Sequence, residues 1–133
     1  MTLVVDASVA TLWVLEQDGT PRALAVRNED SLIAPSLIAA EIGSALWKAV
    51  RRGHVRRADA ATALDAALLA FEALIPLEEL RARALELAME LEHPIYDCFY
   101  LALAERESAP LVTADAALAA KAKRAKGIEI RKL

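Results

Sequence analysis

Apolar residues fall along this chain in two rhythms. Short continuous runs, Leu3-Val4-Val5, Ser31-Leu32-Ile33-Ala34 and Leu111-Val112-Thr113, alternate with longer stretches in which apolar positions recur every three or four residues. The runs read as strands of a parallel sheet covered on both faces, and the longer stretches as helices packed against it. After the first strand, residues 9–16 predict a helix that stops at Asp18-Gly19, and Pro21 suits the first turn of another short one. Pro35-Ser36 closes the second strand, with Ser36 as the expected cap of a helix over residues 37–52 that ends at Gly53. Ile38, Ile42, Ala45, Leu46 and Ala49 form its apolar stripe. An alanine-rich helix is expected over residues 57–74, a brief strand or linker at Ile75-Pro76-Leu77, and a helix over residues 79–92. Pro94 interrupts; helix resumes over residues 96–107, and after the strand at residues 111–113 come a helix over 115–126 and a last strand over 128–131. Strand and helix alternate throughout. The expected fold class is therefore α/β, with a central, mostly parallel sheet of four to five short strands flanked by helices.

Composition narrows the setting. With 133 residues, 56% of them hydrophobic, and no Pro/Gly-rich linker, the chain suits one domain spanning residues 1–133 with a real core. Much of the mean hydropathy of +0.30 comes from alanine. The longest uncharged stretches fall short of the roughly 20 residues that span a bilayer, so no membrane association is expected. The opening residues lack the basic segment of a secretory signal, and Cys98 is the sole cysteine, which together point to the cytoplasm. A net charge of -3 and a pI near 5.4 give no global case for nucleic-acid binding. Any such case rests on local clusters: Lys48, Arg51, Arg52, His54, Arg56 and Arg57, then Lys121, Lys123, Arg124 and Lys126. Each cluster could instead be a solvated face near a helix C-terminus, where cations are favoured anyway.

Four acids stand apart from the other fifteen. Asp6 is the sole acid in residues 1–15, Glu41 in 31–58, Asp97 in 93–104 and Asp115 in 108–127. An ionised carboxylate in an apolar element is costly unless paired, and several gathered together repel one another. A divalent cation answers both problems. Asp6 and Asp115 each follow a predicted strand, where open α/β sheets bind ligands. Asp97 lies in the first turn after Pro94 and shares a helix face with Tyr100, Leu101 and Ala104, while Glu41 borders the stripe of its own helix. Singly, each has another explanation: Asp6 and Asp115 as N-caps, Asp97 as an acid answering the helix dipole, Glu41 as a surface residue. Oxygen ligands suit Mg²⁺ or Mn²⁺ better than zinc. His54 and His93, beside charged neighbours, read as surface residues, Cys98 as a small core residue, and Trp13 and Trp47 as core residues before contact residues.

Taken together, Leu3-Val4-Val5-Asp6-Ala7-Ser8, Glu41 on the helix after the second strand, Tyr96-Asp97 ahead of Leu101-Ala102-Leu103-Ala104, and Leu111-Val112-Thr113-Ala114-Asp115 resemble PIN domains. The likeness covers nearly the whole chain, and the size is similar to that of VapC-type toxins of prokaryotic toxin–antitoxin modules. The resemblance implies a single PIN-like domain acting as an endoribonuclease. In it Asp6, Glu41, Asp97 and Asp115 hold Mg²⁺ or Mn²⁺, with hydroxyls supplied by Thr113 and Ser8. It also implies an RNA substrate, for which Lys48, Arg51, Arg52, Arg56 and Arg57 are the candidate contacts. A cognate antitoxin whose C-terminal segment covers the acidic groove, and a homodimer, are implied as well. Some relatives carry a further acid after the last one, whereas residues 116–120 here are uncharged. One tightly held ion, with a second arriving with the RNA phosphate, is therefore the expectation. A receiver domain or a haloacid-dehalogenase-type phosphatase also places Asp after the first strand. Ser8, standing two residues after Asp6, departs from the phosphatase pattern, and no adjacent acidic pair matches the receiver. A DNA-directed nuclease of the same fold, or an inactive partner-binding module, are the other readings.

Overall fold

The computed structural model describes residues 1–28 and 31–133. Five strands, β1 (Thr2–Val5), β2 (Ser31–Pro35), β3 (Ala73–Ile75), β4 (Leu111–Thr113) and β5 (Ile130–Lys132), form one sheet in the order β3-β2-β1-β4-β5. Every pairing is parallel. The chain builds outward from β1 to β3, then crosses back to lay β4 on the other side of β1. This reversal makes the cleft outside the C-terminal ends of β1 and β4 the ligand-binding position of such a sheet.

Among the described residues seven helices cover it: α1 (Ala7–Val14), α2 (Thr20–Arg27), α3 (Ile38–Arg51), α4 (Arg57–Leu68), α5 (Arg81–Leu91), α6 (Ile95–Glu107) and α7 (Ala116–Ala122). Val4, Val5, Leu111 and Leu32 on the central strands are almost wholly buried, and Ile38, Ile42, Leu87, Leu101 and Leu103 pack on them from the helices. Truncating one such leucine to alanine removes about 2–5 kcal/mol, which fixes the core as the frame on which the sheet ends are held.

Several boundaries differ from the sequence expectation. The alanine-rich helix ends at Leu68 rather than at residue 74, because Ala73–Ile75 are taken into the sheet beside Ile33, Ala34 and Pro35. A 3₁₀ turn at Leu77–Glu79 precedes α5, so that helix begins at Arg81. The last helix stops at Ala122 and the last strand is Ile130–Lys132. Ser36 does not cap α3: Leu37 occupies that position without a side-chain cap, and the Ser36 carbonyl instead accepts the Ala39 N–H at 3.3 Å. Trp47 is not a core residue but 57% exposed. Trp13, by contrast, packs against the core and donates its ring N–H to the Ala23 carbonyl at 2.8 Å. Among the described residues no helix is long and apolar enough to cross a membrane.

Candidate functional site

Asp6 ends β1 and begins α1, and it is the one buried carboxylate among the described residues, 4% exposed. Its Oδ1 accepts the Ser8 hydroxyl at 2.5 Å and the Val9 N–H at 3.3 Å, while Oδ2 accepts the Thr113 hydroxyl at 2.5 Å. The direction of those hydroxyl bonds is fixed by their other partners. Ser8 Oγ accepts the Ala114 N–H at 2.8 Å, and Thr113 Oγ1 accepts the Asp115 N–H at 3.0 Å. With its lone pairs so engaged, each hydroxyl has its proton free to point at Asp6. Three donors thus hold this carboxylate, and none of them is a cation. Burial pushes its pKa up to about 6 against the pull of Ser8, Thr113 and Val9, with the charge of Asp97 adding to the rise.

Glu41 and Asp97 arrive from different helices. The Tyr100 hydroxyl on α6, buried, donates to Glu41 Oε1 on α3 at 2.5 Å, which ties two helices together at the sheet edge. Burial raises the Glu41 pKa, the Tyr100 bond opposes this, and Asp97 raises it further. The Tyr100 hydroxyl itself is held far above its usual range, first by burial and then by Glu41, so it stays a donor. Asp97 stands in the first turn of α6, and its Oδ2 lies 2.6 Å from His93 Nε2. His93 is therefore no surface bystander: its side chain is 12% exposed and faces the acid one turn ahead. Its position follows from Glu92, which caps α5 in the left-handed region at φ 50, a place usually given to glycine. The turn swings His93 back toward α6.

Asp115 serves as the N-cap of α7, its Oδ1 accepting the Ala117 and Leu118 N–H groups at 2.8 and 3.2 Å. Its backbone N–H joins the Thr113 network, and the like charge that raises the Asp6 and Glu41 pKa values is that of Asp97. Asp6, Glu41 and Asp97 are thus brought into electrostatic range, with Asp115 beside them on the adjoining turn. As the side chains stand, no three His, Cys, Asp or Glu among the described residues are close enough to close a metal shell. In chemistry the donors nevertheless suit a hard divalent cation: carboxylate oxygens, one of them buried without any cationic partner, two with raised pKa values. His93 fixes the orientation of the Asp97 carboxylate through their 2.6 Å contact.

The basic candidates Lys48, Arg51, Arg52, Arg56 and Arg57 are all exposed, at the far end of α3 and the start of α4. Arg56 pairs with Asp59 at 3.2 Å, and the Arg51 guanidinium lies 4.8 Å from the centre of the Trp47 ring. Of the second cluster, Lys121 reaches the Leu91 carbonyl at 3.3 Å, and Lys123, Arg124 and Lys126 are exposed. Sequence reasoning missed His93 and Tyr100. The His93-to-Asp97 spacing of four was a usable signal, whereas the Glu41–Tyr100 pair spans 59 positions and left none.

The PIN domain model matches residues 3–124. Ribonuclease VapC3 of Pyrobaculum aerophilum is 37% identical over 124 residues, covering 91% of this chain and 95% of that protein. The crystal structure of PAE2754, also from Pyrobaculum aerophilum, superposes with a TM-score of 0.72 at 30% identity, covering 98% of this chain and 89% of the other. VapBC2 from Rickettsia felis, solved bound to a DNA fragment from their promoter, has the same fold, with a TM-score of 0.74 at 18% identity over 100% of this chain and 99% of that one. The chain belongs to the PIN domain family, as a VapC-type member.

Proposed function

We propose that this chain is a metal-dependent endoribonuclease, the toxin of a VapBC-type toxin–antitoxin pair, working in the cytoplasm. The observation that carries the reading is Asp6, a buried carboxylate at the switch point of the sheet, held by two hydroxyls and a backbone N–H and by no cation. The ribonuclease names of relatives matching over most of its length support it.

Asp6, Glu41, Asp97 and Asp115 would hold Mg²⁺ or Mn²⁺. When bound, such an ion supplies a water of lowered pKa and neutralises charge on the phosphoryl oxygens. Ser8 and Thr113 keep both oxygens of Asp6 in one orientation, and Tyr100 does the same for Glu41. Asp97, with its side chain 29% exposed and one oxygen taken by His93, is the acid best placed to orient an attacking water. Because residues 116–120 add no further acid, these four carboxylates would hold one ion tightly, and a second would come only with the RNA phosphate. A cognate antitoxin, whose C-terminal segment covers the acids, and a homodimeric state complete the reading. The R. felis VapBC2 complex is the precedent for such a partner.

Purified protein incubated with total RNA and Mn²⁺ or Mg²⁺ tests the proposal, beside an EDTA lane, Asp6→Asn, Asp97→Asn and single-stranded DNA. Discrete fragments lost with EDTA and in both variants are expected. Cleavage of the DNA but not the RNA would reassign the substrate. Absence of metal binding by calorimetry would leave a partner-binding module in place of an enzyme.

A further inference from the structure

Trp47 is large, aromatic and 57% exposed, and nothing in the acid site uses it. It separates two hollows. On one side an apolar groove between α3 and α4 is lined by Leu46, Val50, Ala61 and Leu64. On the other a depression of about 290 Å³ has Trp47 as its aromatic wall and Lys48, Arg51 and Arg52 as the rest of its lining. Among the described residues the cations here are free of carboxylates. Arg83, Arg106 and Arg131 each hold carboxylates at 2.7–3.1 Å, whereas Lys48, Arg51, Arg52 and Arg57 have no carboxylate partner among the described residues. Arg51 spreads over the Trp47 ring instead.

We propose that Trp47, with Lys48, Arg51 and Arg52, stacks a base and grips the phosphates of single-stranded RNA beyond the acidic site, an inference that rests on the nuclease reading. An exposed indole beside unpaired cations is the chemistry of sequence-tolerant single-strand binding: every base has a π face, and the backbone follows the charge. Three positive charges with no carboxylate beside them favour a polyanionic strand as the occupant, because each phosphate contact releases condensed counterions. Position along α3 supports the assignment. Lys48 follows Glu41 by seven residues and Arg52 follows Lys48 by four, so all three lie on one helix face. At a rise of 1.5 Å per residue, Lys48 stands about 10 Å from Glu41 along the axis. A strand leaving the acids along this face meets Lys48 first, then Arg52, with Arg51 and Trp47 beside them. The hollow is thus a positioning site: it sets which part of an RNA is held while another part lies at Asp6.

The test is binding of a short fluorescein-labelled oligouridylate to the full chain in EDTA, by anisotropy over a salt series, with duplex RNA in parallel. Trp47→Ala should weaken single-strand binding about fivefold to a hundredfold. The salt slope should stay unchanged in that variant, and duplex binding should be unaffected because paired bases are not free to stack. Trp47→Phe should restore most of the loss. Lys48→Ala and Arg52→Ala should each lower the slope of log K against log salt by about 0.7. If the wild type cuts RNA but Trp47→Ala binds and cuts as it does, the stacking site is wrong and the nuclease reading stands. That same result with loss of the antitoxin complex would hand the surface to a protein. Equal losses in Trp47→Phe and Trp47→Ala would also overturn stacking. A wild type that neither binds nor cuts RNA would sink both readings together.

Discussion

Two corners of the molecule handle carboxylates in opposite ways. Where α5 meets α6, Arg83 bonds Glu105 at 2.7 and 3.0 Å and reaches Glu86 and Glu90, and Arg106 holds Glu79 and Glu107. These acids lie at the surface, and Arg83 lowers the Glu105 pKa. Outside the ends of β1 and β4, Asp6 and Glu41 are buried or half-buried, have no cation, and have pKa values pushed up. Paired acids at the surface cost the fold little and contribute little. Unpaired acids under cover cost stability, and persist where something outside the chain completes them.

The sharpest way to break this contrast is to neutralise one carboxylate in the unpaired corner. Asp6→Asn should lower metal-dependent RNA cleavage about a hundredfold or more, since a bound cation is worth several kcal/mol of charge stabilisation; cleavage rates under saturating Mn²⁺ measure it. A comparable rate in the variant would make Asp6 a helix cap and nothing else.

Next in size is the pH dependence of the metal-free protein. Folded Asp6 keeps its proton up to about 6, against 3.8 as the ordinary value. The native state therefore binds more protons than the unfolded one between these values, and stability falls as pH rises through that window, by roughly 3 kcal/mol. Denaturant melts in EDTA should show this fall, and Asp6→Asn should flatten it. Asp97→Asn, which removes like charge from Asp6 and Glu41, should raise the melting temperature in EDTA by a few degrees, while the wild type gains more from Mg²⁺.

Thr113→Val keeps the shape of a wholly buried side chain but deprives Asp6 of a donor and the Asp115 N–H of an acceptor. About 1–3 kcal/mol of stability should be lost, with metal affinity down about tenfold to a hundredfold by titration calorimetry. The smallest effect belongs to the paired corner. Glu105→Gln should cost at most about 1 kcal/mol, shrinking with added salt, with metal binding untouched. A larger loss there would mean that the arginine network, too, is more than surface.

How much of this the sequence carried depends on how local each feature is. The isolation of Asp6, the strands at residues 3–5 and 111–113 and the order of strand and helix are local patterns, and they survive in the fold. Residues 69–74 contain no Gly or Pro, so nothing local ends the helix at Leu68; pairing with β2 does. Trp47 lies off the stripe of Ile38, Ile42, Leu46 and Ala49, and its exposure was legible on the helical wheel; its aromatic character outweighed its position. His93 was hidden by its neighbours Glu92 and Pro94, because the left-handed turn that aims it is a backbone choice no side chain announces. The Glu41–Tyr100 bond exists through packing alone.

The sheet order carries one more consequence. Thr113 meets Asp6 across 107 positions, and Ser8 takes the Ala114 N–H across 106. The strand that leads into Asp6 leaves a ribosome well before the strand that orients it. Until β4 slots in beside β1, the carboxylate has no fixed aim and the cleft has only one wall. A chain broken off during synthesis before residue 111 would be an unarmed fragment. The aim of Asp6 is set in one step of assembly, the pairing of β4 with β1.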